Sequence, residues 1–313
     1  MPPRTLRASM LAALSSLFIS APVLSADRTG TPGIDIFSFS GTTQNTTINL
    51  TSPSGQAISR TGTFIVGDET YDGLGGFDLL SMSLFDDYLP AGSLTSVEQV
   101  IASDGNDIVD VSDQAIDLIL LAGSGDDVML GGSASDTVFG ADGDDFIDGG
   151  DGSDILQGNA DNDTLFGGAG DDIIRIGDGQ DTATGGTGND TYLFLGFDAL
   201  VDTITDFFTG DILDFSDIIE GFDALTDDIS EWIGFTSQGD DTLVRVDVDG
   251  LGDDYDPEDY LWLDDVEYEE IDWLSDAQFG REEADPPPNP VPVPATPALI
   301  LIALVLLGRA RSK

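Results

Sequence analysis

The chain has 313 residues, 40% of them hydrophobic, which is room for one or two domains with a packed core. Its 60 acids against 10 basic residues give a formal charge of −50, which argues against nucleic acid or an anionic membrane surface as a partner. Cysteine and histidine are both absent, which removes disulfides, thiolate nucleophiles, histidine-ligated zinc and Ser-His-Asp catalysis, and points to oxygen-ligated hard cations, above all calcium.

Residues 1–26, within MPPRTLRASMLAALSSLFISAPVLSAD, set Arg4 and Arg7 ahead of an apolar stretch and small residues. That is the pattern of a Sec signal peptide cleaved after Ser25 or Ala26, with the Sec translocon as the implied partner. No acid precedes Asp27 or follows Asp285, and only Arg28, Arg60, Arg175, Arg245 and Arg281 lie between them. The body between the two ends is therefore a polyanion whose self-repulsion opposes compaction unless a cation joins the folded state.

Residues 27–121 carry TGTPGIDIFSF, YDGLGGFDLLSMS and ASDGNDIVDVS, in which Asp35, Asp78 and Asp107 each precede apolar alternation. Two readings stand: irregular solenoid coils with longer loops, or a separate small β-domain.

Residues 122–193 divide without gaps into AGSGDDVML, GGSASDTVF, GADGDDFID, GGDGSDILQ, GNADNDTLF, GGAGDDIIR, IGDGQDTAT and GGTGNDTYL. The sixth position is always aspartate: Asp127, Asp136, Asp145, Asp154, Asp163, Asp172, Asp181 and Asp190. The eighth is always apolar, from Met129 to Tyr192. Glycines at the second and fourth positions permit tight turning at positive φ. The last three residues predict a short strand. Its middle side chain points inward, and ninth-position residues such as Asp148, Gln157 and Arg175 point outward. Each turn and strand is half a coil, so stacked coils enclose a thin core between two parallel sheets. The predicted fold class is all-β: a parallel β-roll or β-solenoid of nonapeptide repeats with irregular N-terminal coils and a β-rich C-terminal cap. Asn159 and Asp161 replace both turn glycines of the fifth repeat and are expected to take the left-handed backbone at some strain. Asp171, at the variable fifth position, is expected only to be solvated.

Stacked turns present aspartates and main-chain carbonyls, and they repel one another unless a hard cation lies between them. The nonapeptide resembles the repeats-in-toxin (RTX) calcium-binding β-roll. The resemblance implies that turns two repeats apart share calcium, Asp127 with Asp145, Asp136 with Asp154 and so on to Asp190. Carbonyls of Gly125, Gly132, Gly143, Gly150, Gly168, Gly170, Gly186 and Gly188 would complete the shells of about six ions.

Residues 194–280 predict a β-rich cap. VDTITDFFTGDILDFSDI resembles the C-terminal region of type I secreted RTX proteins, and Ile204, Phe207, Ile212, Leu213 and Phe215 would cover the open end of the core. DVDGLGDDYD fails as an EF-hand loop because Arg245 falls at its first ligand position. Residues 281–313 combine the proline-rich DPPPNPVPVPATP, the apolar ALILIALVLLG and the basic RARSK. This tail resembles the PEP-CTERM sorting signals in a VPVPA variant, which implies an exosortase-type processing enzyme; a plain membrane anchor is the alternative. Type I export normally uses no Sec peptide, so the cap is expected to be structural rather than an export signal.

The sequence holds no Gly-X-Ser-X-Gly elbow and no phosphate loop with lysine, and no stretch of about 150 residues is left for a catalytic domain. The expectation is a non-enzymatic exported protein that folds on calcium outside the cytoplasm. Its role would be structural or adhesive, at the cell surface or in the extracellular matrix. A secreted hydrolase with a carboxylate site and a calcium-dependent glycan or cell adhesin are the alternatives.

Overall fold

The computed structural model describes residues 28–29, 35–67, 70–74, 76–194, 200–215, 233–238, 240–246, 258–264 and 277–278. The signal-like segment 1–26, the acidic stretch 247–257 and the tail 281–313 lie outside them. Every regular element among the described residues is a β-strand.

Within the repeats, successive strands alternate between two sheets. Thr137–Asp142, Ile155–Ala160, Ile173–Ile176 and Thr191–Phe194 lie in a ten-stranded sheet; Val128–Leu130, Phe146–Asp151, Thr164–Ala169 and Thr182–Thr187 lie in a twelve-stranded one. Each strand pairs in parallel with its equivalent one coil on, Thr137 with Ile155 and Phe146 with Thr164. Two nonapeptides therefore make one coil. A repeat buries one core side chain, worth about 1.5–3 kcal/mol, while ordering its backbone costs about 1–2 kcal/mol per residue. Only the stacked array recovers that cost.

Two columns of eighth-position side chains face each other across the core. One runs Val109, Met129, Ile147, Leu165, Ala183, Ile204; the other runs Leu80, Val100, Leu120, Val138, Leu156, Ile174, Tyr192, Leu213. All are buried in a single cluster. Where the seventh repeat offers only Ala183, the buried Ile176 and Tyr192 add bulk to the same core.

The columns continue upstream without a break. Strands Ile36–Ser38, Leu79–Ser81 and Gln99–Asp104 belong to the ten-stranded sheet, and Asp87–Leu89 and Ile108–Asp110 to the twelve-stranded one. Of the two readings of this region, the structure adopts irregular coils rather than a separate β-domain. The downstream strands Asp202–Ile204 and Ile212–Asp214 add one more coil, and the antiparallel strands Ile233–Gln238, Asp241–Val246 and Glu258–Leu263 extend the twelve-stranded sheet beyond it. Ile204, Phe207, Leu213 and Phe215 are buried in the core as predicted. Ile212 is not: it sits at an outer position of its strand and is half-buried.

One element departs from the solenoid. Gly41–Thr51 and Ala57–Gly67 form a long antiparallel hairpin whose second strand pairs with Asp87–Leu89 only at Ile65 and Val66. The rest lies over the outer face of the twelve-stranded sheet. Ile48 and Phe64 from the hairpin pack on Ile108, Val128 and Leu130 from the roll, making a second apolar cluster. At the hairpin tip, the Ser54 N–H and hydroxyl each donate to Asp148 at 2.9 Å. Asp148 faces outward, as the repeat predicts, yet it is fully buried, because the hairpin covers it. Gln157, also expected at the surface, is buried as well and donates to Asn159.

Candidate metal centre

Each sixth-position aspartate immediately precedes a strand, at the edge where the chain turns into the sheet. All eight are at most 2% exposed. The structure joins those two repeats apart. The N–H of Asp127 donates to Oδ1 of Asp145, Asp145 to Asp163, Asp163 to Asp181, and Asp181 to Asp202, at 2.8–2.9 Å. On the other edge Asp136 donates to Asp154, Asp154 to Asp172, Asp172 to Asp190 and Asp190 to Asp211, at 2.7–3.0 Å. Two carboxylate ladders thus run the length of the roll.

The ladders reach beyond the eight predicted residues. Asp87 donates to Asp107 and Asp107 to Asp127; on the other edge Asp35 donates to Asp78 and Asp78 to Glu98. Asp87, Glu98, Asp202 and Asp211 were not recognised from the sequence, because coil spacing lengthens from 18 residues to 20 upstream and 21 downstream. The available signal was an acid directly before a short apolar strand, as in DDYL and GDILD. One rung lacks a carboxylate: Leu118 donates its N–H to Asp136 but has no acid to offer the coil before it.

A second pair of ladders runs along the rims at the fifth position, one on each edge and in the opposite sense. Asn189 donates its N–H to Asp171, Asp144 to Asp126, and Asn162 to Asp144, each to the equivalent residue one coil earlier. Asp171 is exposed as expected, but it is not merely solvated: it holds the next turn at 2.9 Å.

Glycine placement follows from these stacks. Gly125, Gly143, Gly150, Gly168, Gly170, Gly186 and Gly188 all have left-handed φ, between 99° and 145°. Gly132 is not among the left-handed residues, and its carbonyl accepts the Asp151 N–H at 3.0 Å. Asn159 and Asp161 adopt φ of 87° and 74°, the strained backbone predicted for them, and Ala141 does the same at 96°. First-position glycines have a different reason. A methyl on Gly140, Gly149, Gly158 or Gly167 would collide with Oδ2 of the aspartate five residues on.

The second carboxylate oxygen carries the chemistry. Oδ2 of Asp107, Asp127, Asp145, Asp154, Asp163 and Asp172 is buried without a hydrogen-bond partner, whereas Asp136 and Asp181 use theirs on the N–H groups of Gly132 and Gly177. Burial pushes these acids well above the usual carboxylate range. N–H bonds offset part of the rise, and neighbouring aspartates add to it. Asp163 and Asp107 rise to about 9, Asp127 and Asp154 to about 8, Asp145 and Asp172 to about 7, and Asp136 and Asp190 to about 6. Arg60 of the hairpin partly counters this at Asp127 and Asp145.

A row of buried, unpartnered anionic oxygens fits a hard, oxygen-ligated cation. Among the described residues no three acidic side chains converge, so a cation at these turns must complete its shell with main-chain carbonyls. Fold and site together define a parallel β-roll with a periodic edge of buried aspartates whose bare oxygens suit a hard cation. Residues 121–156, 148–183 and 175–191 match the family model of the RTX calcium-binding nonapeptide repeat. No curated protein matches the chain. The central array, residues 121–191, is thus similar to the RTX calcium-binding nonapeptide repeat, and the parallel two-sheet solenoid built on it agrees with an RTX-type β-roll.

Proposed function

We propose that the protein is exported and folds on calcium outside the cytoplasm, where it serves a structural or adhesive role at the cell surface or in extracellular matrix. The observation that carries this reading is the run of buried, partnerless Oδ2 atoms along both edges of the roll. Without a cation the stack sets carboxylate above carboxylate in a low-dielectric interior, which opposes folding. Calcium supplies positive charge between turns. Asp127, Asp136, Asp145, Asp154, Asp163, Asp172, Asp181 and Asp190 would hold it with main-chain carbonyls of the glycine turns. The same carboxylates hold the preceding coil's N–H groups, which leaves them poorly placed as general acids and supports a non-catalytic role.

Low cytoplasmic calcium would keep the polyanion unfolded for passage through the Sec translocon, and millimolar calcium outside would fold it. The signal-like N-terminus and the PEP-CTERM-like tail support that route, with an exosortase-type enzyme processing the tail and a glycan or matrix component as the external partner. The test is circular dichroism of the chain in calcium and in excess chelator. Loss of β structure in chelator is expected on the alkaline side of neutral, where the raised carboxyls ionise; full β structure there would overturn calcium-coupled folding. Mass spectrometry of the protein from its source reads both processing sites, and an intact N-terminus would overturn export by this route.

A further inference from the structure

From Ile36 to Gly67 the chain contains no acid at all and one base, Arg60, in a protein of net charge −50. Nearly all of this acid-free stretch is the hairpin, Gly41 to Gly67. Its inner face has an evident reason to lack acids, since it packs on the acidic roll with Arg60 near Asp127 and Asp145 and Ser54 on Asp148. Its outer face has no such reason. Thr43, Asn45, Thr47 and Asn49 are exposed there, as are Ser59, Thr61 and Thr63 on the neighbouring strand. They are knitted by bonds from Ser59 to Asn49 and between Thr47 and Thr61.

The first hairpin strand, Gly41–Thr51, is also the end strand of the twelve-stranded sheet, and no described strand pairs with its outer side. The Ser52 N–H bonds the Gln56 carbonyl. Antiparallel alternation from that pair leaves the main-chain N–H and C=O of Thr43, Asn45, Thr47 and Asn49 on the free edge. Exposed edge strands are ordinarily guarded by charge, proline or a bulge. This one is 11 residues long, has no charge and no proline, and pairs with its hairpin partner without a register shift.

We propose that this edge pairs with the same edge of a second copy of the chain, joining two hairpins antiparallel about a two-fold axis. Charge selects the occupant. Two polyanions repel wherever their rolls approach, and here each offers the other a neutral strand with unspent main-chain donors and acceptors. A cationic partner would instead be drawn to the roll. The inference stands whether or not the protein is exported.

The test uses the full-length chain in calcium, in a non-ionic detergent that keeps the apolar tail soluble, by sedimentation over a range of concentrations. The expected species has twice the mass of the chain. The variant Thr43→Glu/Thr47→Glu should halve that mass with an unchanged dichroism spectrum. A chain that stays monomeric, a dimer indifferent to the glutamates, or open-ended oligomers would each overturn the proposal. Single-cysteine variants at Thr43, Asn45, Thr47 and Asn49, in a chain without native cysteine, keep it testable if the glutamates disturb folding. Oxidation should give a disulfide dimer at the site nearest the axis, and no disulfide dimer at any of the four sites would overturn it.

Discussion

The main-chain N–H of Asp154 donates to Oδ1 of Asp172, 2.7 Å away on the next coil, while Oδ2 of Asp172 is buried with no partner. One carboxyl group therefore does two separable things: it ties coil to coil, and it offers an anionic oxygen to a cation.

Substitution at Asp172 separates the two. Asp172→Asn keeps an acceptor for Asp154 and removes the buried charge. It should gain less stability from calcium than the parent does and need less calcium to fold. Asp172→Ala removes the same charge and also orphans the Asp154 N–H, so it should cost about 1–3 kcal/mol more than Asp172→Asn. Thermal unfolding of parent and both variants across a calcium titration checks this.

The pH dependence in chelator follows from the raised carboxyls. A group whose folded pKa lies above its unfolded value of about 3.9 stabilises the fold when protonated. That contribution is complete below about pH 3.9 and is lost as pH rises through the folded values, from about 6 at Asp190 to about 9 at Asp163. The chelated roll should therefore lose stability steadily from pH 5 to pH 9. Calcium competes with those protons, so calcium affinity should fall as the medium is acidified. Melting temperature against pH, with and without calcium, reads both trends.

Gly170 has φ of 138°, and a methyl there would meet the Gly152 carbonyl oxygen one coil earlier. Gly170→Ala should destabilise the roll by more than the roughly 1–2 kcal/mol of the left-handed backbone alone. Gly234, in an outer strand of the cap, has open space around it, and Gly234→Ala should change stability by no more than about 1 kcal/mol, in the stabilising direction. Denaturant unfolding of the two variants in calcium makes the comparison.

Asp148 holds the hairpin tip through two bonds from Ser54. Asp148→Ala should cost about 1–3 kcal/mol by stranding those donors. It should also expose the turn around Pro53 and Gly55 to limited proteolysis, with the calcium response of the roll preserved. Equal resistance to proteolysis in parent and variant would show that the tip is held by other contacts.

Much of the roll was legible because each repeat obeys one short rule. An eighth-position apolar residue must face the core, and a sixth-position aspartate must sit where turn becomes strand, so a strict nine-residue period exposes both. Asp87, Glu98, Asp202 and Asp211 obey the same physics at coil lengths that break the period, which hid them. The rim ladders were invisible for another reason: Asp, Asn and Ser all accept a main-chain N–H, so the fifth position varies in sequence while its role does not. Asp171 therefore looked like a solvated neighbour.

Side-chain alternation and turn chemistry within a few residues are enough to encode the two-sheet solenoid, its core columns and the periodic aspartates of its edges. Tertiary structure decided what depends on residues far apart in the chain. It lifted the hairpin of residues 41–67 over the outer face and buried Asp148 beneath Ser54, 94 residues away. At Asp107, Asp127, Asp145, Asp154, Asp163 and Asp172 it left one carboxylate oxygen bonded and the other bare. Those outcomes depend on which surfaces meet when coils stack, and no local pattern encodes that.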